Sequence, residues 1–185
     1  MYHKKQDKRS IQSCDLIYSA LDQLIKEKSF ESISVKDIVD RANIGRTTFY
    51  RNFDAIEDVL RLKCDEAFNE MKAYLEKQTQ STFILKSFLR YWYLDSKILE
   101  ILIHIKRTDI IVDSFSRIIE QFLQRIDNQN ESPVQYKNYF IAIRIGVALN
   151  ILEQWIKDGK KIPPDDLADS IKEQFEISSS VRLLF

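Results

Sequence analysis

Three glycines and three prolines are scattered through 185 residues, and that scarcity constrains the fold more than any other feature of the chain. Tight connections between strands draw on Gly, Pro, Asn and Asp, which supply the backbone angles a sharp reversal needs. A chain this poor in the first two has few connections and long elements between them. Its apolar residues recur at i, i+3 and i+4, the spacing of one helical face, and no stretch alternates as a half-buried strand does. The expected fold class is all-α. Hydrophobic residues at 44% and charged residues at 30% suit an ordinary globular protein.

The first helix is expected over 9–28, burying Ile17, Ala20, Leu21, Leu24 and Ile25. A connection over 29–33 follows, with Phe30 plugging the gap. Ser34 and Asp37 form a capping box for a short second helix whose stripe is Val35, Ile38, Val39 and Ala42. Asn43, Ile44 and Gly45 make a turn, because Asn and Gly both accept the left-handed backbone. A third short helix, 46–53, sets Phe49 and Phe53 one turn apart on its inner face. Asp54 with Glu57 reads as a second capping box, opening a long helix to 78 with a stripe of Leu60, Cys64, Ala67, Phe68, Met71 and Leu75.

Beyond the polar run 77–81, helices are expected over 82–94, 96–106 and 108–127. A loop at 128–132 follows, and Pro133 suits the first turn of a helix over 134–158. Gly159 stands where a helix C-cap belongs, and Pro164 opens a last helix with Asp165 and Asp166 at the positive end of its dipole. The expected organisation is an N-terminal domain over 1–54 with a basic arm at 1–8, a bridging helix over 55–80, and a helical bundle over 81–185.

Net charge is zero, yet it is unevenly placed. The stretch 42–53 holds Arg46 and Arg51 and no acid, and the arm carries Lys4, Lys5, Lys8 and Arg9 against Asp7 alone. Cys14 and Cys64 lack metal-ligand spacing and only two His are present, so neither a metal site nor a cofactor is expected. A Gly-rich phosphate loop, an HExxH pair and a Ser/His/Asp set are all missing, so no catalytic residues are assigned and the chain is read as a non-enzyme. The charged N-terminus is unlike a secretory signal, and the apolar runs 101–105 and 145–149 are short for a membrane span. A cytoplasmic protein without a membrane partner is expected.

A short helix, a three-residue turn and a second short helix behind a longer one compose a helix-turn-helix. The second helix of such a unit enters the major groove of double-stranded DNA with its N-terminal residues on base edges. Arg46, Thr47 and Thr48 occupy those positions after Gly45; Arg suits guanine and Thr suits a hydrogen bond or the thymine methyl. Tyr50, Arg51 and Asn52 are placed to reach phosphates. The first turn of the preceding helix, at Ser34, Val35 and Lys36, offers N–H groups to another.

The run from Ile33 to the motif Arg46-Thr47-Thr48-Phe49-Tyr50-Arg51-Asn52-Phe53 resembles the DNA-binding signature of the TetR family. The resemblance is strong over 10–65. A weaker one covers 136–171, where Tyr139-Phe140, Gly146, Trp155-Ile156-Lys157-Asp158-Gly159 and Pro164-Asp165-Asp166-Leu167-Ala168 are similar to the C-terminal helices of one subgroup. It implies base or phosphate contacts by Thr47 and Tyr50, and a C-terminal bundle that dimerises and binds a small-molecule effector. The chain departs from the pattern at Ile56, where the family often has Lys, and at Asn52, where His is common.

Aromatics gather in the C-terminal half. Tyr91, Trp92 and Tyr139 are candidates for an effector pocket, with His104 and Arg107 to orient a polar or anionic ligand; a stripe of this kind equally serves as core or interface. Ile141, Ile145, Ala148, Leu149, Leu152 and Trp155 form an apolar face broader than one neighbour needs, and are expected at a dimer interface. Two equal reading heads imply a homodimer on a palindromic operator. The reading is a ligand-responsive repressor; the alternative is a TetR-like activator or an adaptor working through a protein partner.

Overall fold

The computed structural model describes residues 2–3, 8–77, 84–127 and 136–180. The helices are α1 (Lys8–Glu27), α2 (Val35–Ala42), α3 (Arg46–Asn52), α4 (Ile56–Glu76), α5 (Ile84–Leu94), α6 (Lys97–His104), α7 (Thr108–Asp127), α8 (Lys137–Lys157) and α9 (Pro164–Ser180), with a 3₁₀ turn at Phe30–Ser32. No strand occurs among the described residues; one isolated antiparallel bridge joins Tyr2 to Phe53. The fold is all-α, an N-terminal helix-turn-helix followed by a C-terminal helical domain. Lys4 and Lys5 of the basic arm, most of the 77–81 run and the 128–133 loop with its proline lie outside the described residues.

Packing divides the chain elsewhere than at 54 and 80. One compact unit comprises Met1–Phe68 with Ile98–Ile119, and the other Asn69–Lys97 with Glu120–Phe185. The reason lies in the α4 stripe. Phe68 stacks on Phe115 of α7 at 5.1 Å between ring centroids, and Cys64 Sγ lies 3.9 Å from the Ile110 carbonyl oxygen. The first half of α7 therefore completes the core of the N-terminal unit. Burial pushes the Cys64 thiol up to about 12, as befits a small apolar filler.

In that unit Ile17, Leu21, Ile38, Phe49, Phe53 and Leu60 are fully buried. The start of α4 differs from expectation. Asp58, not Glu57, closes the turn, its carboxylate accepting the Ala55 N–H at 3.0 Å, while Asp54 Oδ1 meets His3 Nε2 at 2.9 Å. The helix begins at Ile56, and Ala55 before it has no side-chain acceptor, so only the carboxylate half of a box is made, one residue later than expected.

The second unit is built around Leu89, Trp92, Leu152 and Trp155, all buried. Trp155 stacks on Tyr93 at 5.9 Å and donates its indole N–H to the Ile162 carbonyl at 2.9 Å. Ion pairs Arg90–Asp165 and Lys86–Asp169 tie α5 to α9. Gly159 takes φ 72° after α8, and the Lys160 N–H reaches back to the Trp155 carbonyl at 2.8 Å, as a left-handed C-terminal cap requires.

Candidate nucleic-acid interface

The reading head is held by its own caps. Ser34 Oγ accepts the Asp37 N–H at 3.2 Å and the Asp37 carboxylate accepts the Ser34 N–H at 2.8 Å, a complete capping box. Asn43, at φ 53°, ends α2 in the left-handed region, and the Ile44 N–H returns to the Val39 carbonyl at 3.0 Å. Gly45 stays extended at φ −79° and caps α3 through its carbonyl, so Asn43 alone carries the left-handed residue of the turn. Phe49 and Phe53 pack inward with ring centroids 5.7 Å apart.

This arrangement presents Lys36, Gly45, Arg46, Thr47, Tyr50 and Arg51 to solvent, with Thr48 and Val35 half-buried. Tyr50 is 54% exposed although its ring meets the edge of Phe49 at 5.5 Å. Several other cations of the unit are matched: Arg41 with Glu27, Lys28 with Asp37, Arg61 with Asp113 and Lys63 with Asp15. Among the described residues no such carboxylate partner holds Lys36, Arg46 or Arg51. A surface whose cations are left unmatched while those behind it are paired suits an anionic polymer.

Two expected contacts are corrected. Asn52 does not face outward; it is 1% exposed. Its Oδ1 accepts the Ser10 hydroxyl at 2.6 Å and its Nδ2 donates to the Thr48 carbonyl at 2.7 Å, pinning the end of α3 to α1. One helical turn from Thr48, position 52 shares the inward side with Phe49 and Phe53, so it cannot share the face of Arg51. Ser34 remains exposed, but its N–H is committed to Asp37, which leaves the amides of Val35 and Lys36 as the available donors of that turn.

Asn52→Ala is expected to lower stability by about 2 kcal/mol, since it strips hydrogen bonds from the buried Ser10 hydroxyl and the part-buried Thr48 carbonyl. Urea denaturation measures it, and a loss under half that figure would show that Asn52 is not a structural pin. A second expectation concerns acid. Lys28 and then Ser34 hold the Asp37 carboxyl well below the usual carboxylate range. A depressed folded value contributes stability that is full above the unfolded value of about 4 and is lost as pH falls through the folded one. The stability gap between the wild type and Asp37→Asn should therefore be widest at neutral pH and narrow progressively as pH falls below about 4. Denaturation curves showing the same gap at pH 3 and pH 7 would remove the carboxylate from the cap.

The five residues expected around an effector pocket are divided between the two units. His104 and Arg107 belong to the first unit, and Tyr91, Trp92 and Tyr139 to the second. His104 is exposed. Arg107 is engaged by Asp109 at 2.9 Å and Glu57 at 3.5 Å. Trp92 is a 0% exposed core residue, whereas Tyr139 is 72% exposed. The expected dimer face is likewise closed: Ile141, Ile145, Leu152 and Trp155 are buried by their own chain, with Ala148 and Leu149 half-buried. Missed in the sequence was the opposite side of α8, where Tyr136, Tyr139, Ile143 and Val147 stand exposed. Their helical spacing was a signal, hidden because apolar residues occur on every side of the helix.

Residues 17–61 match the family model described as bacterial regulatory proteins of the tetR family, and residues 79–176, more than half of the chain, match that of a TetR transcriptional regulator C-terminal region. The chain belongs to the TetR family. No curated protein matches the sequence. Two solved structures share the architecture of this TetR-family regulator. Lin0861 from Listeria innocua is 19% identical over 95% of each chain with a TM-score of 0.78. The fatty acid degradation regulator FadR from Bacillus halodurans is 15% identical over 92% of this chain and 95% of its own, with a TM-score of 0.55. At those identities the likeness is one of fold.

Proposed function

We propose that this TetR-family regulator is a ligand-responsive repressor that binds a palindromic operator as a homodimer and works in the cytoplasm. The unmatched cations Lys36, Arg46 and Arg51 around exposed Tyr50, on a firmly capped helix-turn-helix, carry the DNA part of the reading. Arg46 and Thr47, at the start of α3, meet base edges; Tyr50, Arg51, Lys36 and the N–H groups of Val35 and Lys36 meet phosphates.

The homodimer part rests on α8. This 21-residue helix carries apolar residues all round its axis, interrupted by Arg144, Asn150 and Glu153, and is long and apolar enough by length and composition to cross a membrane, which the short apolar runs of the sequence did not suggest. One side is covered by its own chain. The side carrying Tyr139, Ile143 and Val147 is open, and a helix that is hydrophobic all round is a buried one. A second copy covers it with the same patch, as two-fold symmetry allows. A small-molecule effector held by the C-terminal helices acts by changing the separation of the two reading heads.

The test is selection of duplexes from a randomised pool by the full chain, followed by titration of the winner at two salt concentrations alongside sedimentation. A palindromic winner bound by a dimer, with affinity falling steeply in salt, supports the reading. A chain that selects no sequence overturns it and favours the adaptor.

A further inference from the structure

We propose that Tyr2 and His3 form a strap that sets the recognition helix, with Tyr2 as a positioning residue that ties the end of α3 to the carboxylate of Asp65, which α4 shares with α7. The proposal rests on the DNA reading above and names a residue through which that reading is tuned.

Both ends of the strap are defined. Tyr2 forms the antiparallel bridge to Phe53, and the His3 N–H donates to the Asn52 carbonyl at 2.8 Å. Asn52 is the last residue of α3, whose final carbonyls have no partner within the helix. The strap supplies one. At its other end the Tyr2 hydroxyl donates to Asp65 Oδ2 at 2.5 Å. Burial first, and then the bonded Asp65, push that phenol up to about 12, so it remains a donor at any pH the chain tolerates.

Asp65 is also the anchor for α7. Its Oδ1 accepts the Ser114 hydroxyl at 2.6 Å and pairs with the Arg117 guanidinium, which in turn reaches Ser114 Oγ at 3.2 Å. One carboxylate therefore takes donors from the strap and from α7. A carboxylate has a limited number of lone-pair directions, so a displaced α7 donor changes what remains for Tyr2. The result is a short path of charge-assisted bonds from α7 through α4 to the final turn of α3.

Tyr2→Phe in the full chain tests it, since it keeps the ring and removes the hydroxyl. Two readouts are needed. Without DNA, amide exchange at Asn52 and Phe53 should speed up about fivefold while Leu21 in the core is unchanged. With DNA, preference for the selected duplex over random duplex should fall about fivefold to tenfold, with random-duplex affinity unaltered. Ser114→Ala should give a similar exchange pattern, and the double variant should fall short of the sum. Unchanged exchange at α3 overturns the strap. Faster exchange with equal losses on both duplexes leaves a structural tether and overturns the positioning role. If the wild type selects no duplex, the DNA reading has failed, and the exchange arm still decides whether the strap holds α3.

Discussion

Arg46→Ala should lower affinity for the selected operator by tenfold or more at each half-site while leaving random DNA nearly as well bound. A bidentate contact to a base edge is worth about 1–3 kcal/mol of discrimination, and a two-fold dimer loses it twice. Tyr50→Ala should instead weaken both kinds of DNA by similar factors, because a phosphate contact fixes register without reading sequence. Lys36→Ala should do the same and reduce the salt slope by about one. Stability should barely change in the Arg46 variant, whose side chain is exposed and outside the ion pairs that brace the unit. Titrations of the selected and a scrambled duplex at two salt concentrations measure all three. An Arg46→Ala chain that keeps full discrimination would take this residue off the base edges.

The second large effect separates the two faces of α8. Ile143 is 66% exposed in the single chain, so Ile143→Glu costs the monomer fold little. A charge buried against its own symmetry mate is another matter, and the dimer should dissociate to monomers in sedimentation. Operator affinity should then fall by at least about a hundredfold, since linkage of two reading heads contributes that much or more. Leu152→Ala is the contrast. Leu152 is 2% exposed, and its truncation should cost about 2–5 kcal/mol of folding stability through the cavity it leaves. The variant should remain dimeric wherever it is folded. If Leu152→Ala dissociates the dimer and Ile143→Glu does not, the chain has opened its internal α8 face to its partner, and the assignment made here reverses.

Much of the architecture was written in local patterns. Few turn residues, helical spacing throughout and the Ser34–Asp37 cap defined the elements to within a few residues, because these depend on neighbours three or four positions away. The reading head was equally legible: Arg46, Thr47 and Tyr50 lie on the solvent side that the Phe49 and Phe53 periodicity leaves over. Asn52 was not, since a polar residue facing inward is indistinguishable from one facing out until its partner Ser10, far away in the chain, is in place. The same holds for Tyr2 and Asp65, 63 positions apart.

What the sequence determined by itself was therefore the class of fold, the family, the caps and the short exposed helix. Only the tertiary structure decided which apolar face of α8 is spent inside the chain, that α7 completes the N-terminal core, and that Asn52 and Trp92 are internal. A helix apolar on all sides carries no periodic mark of its neighbours, so its pattern says that it is covered without saying by what. Burial of that kind is settled by non-local packing, where shape and partner, not spacing, select the face.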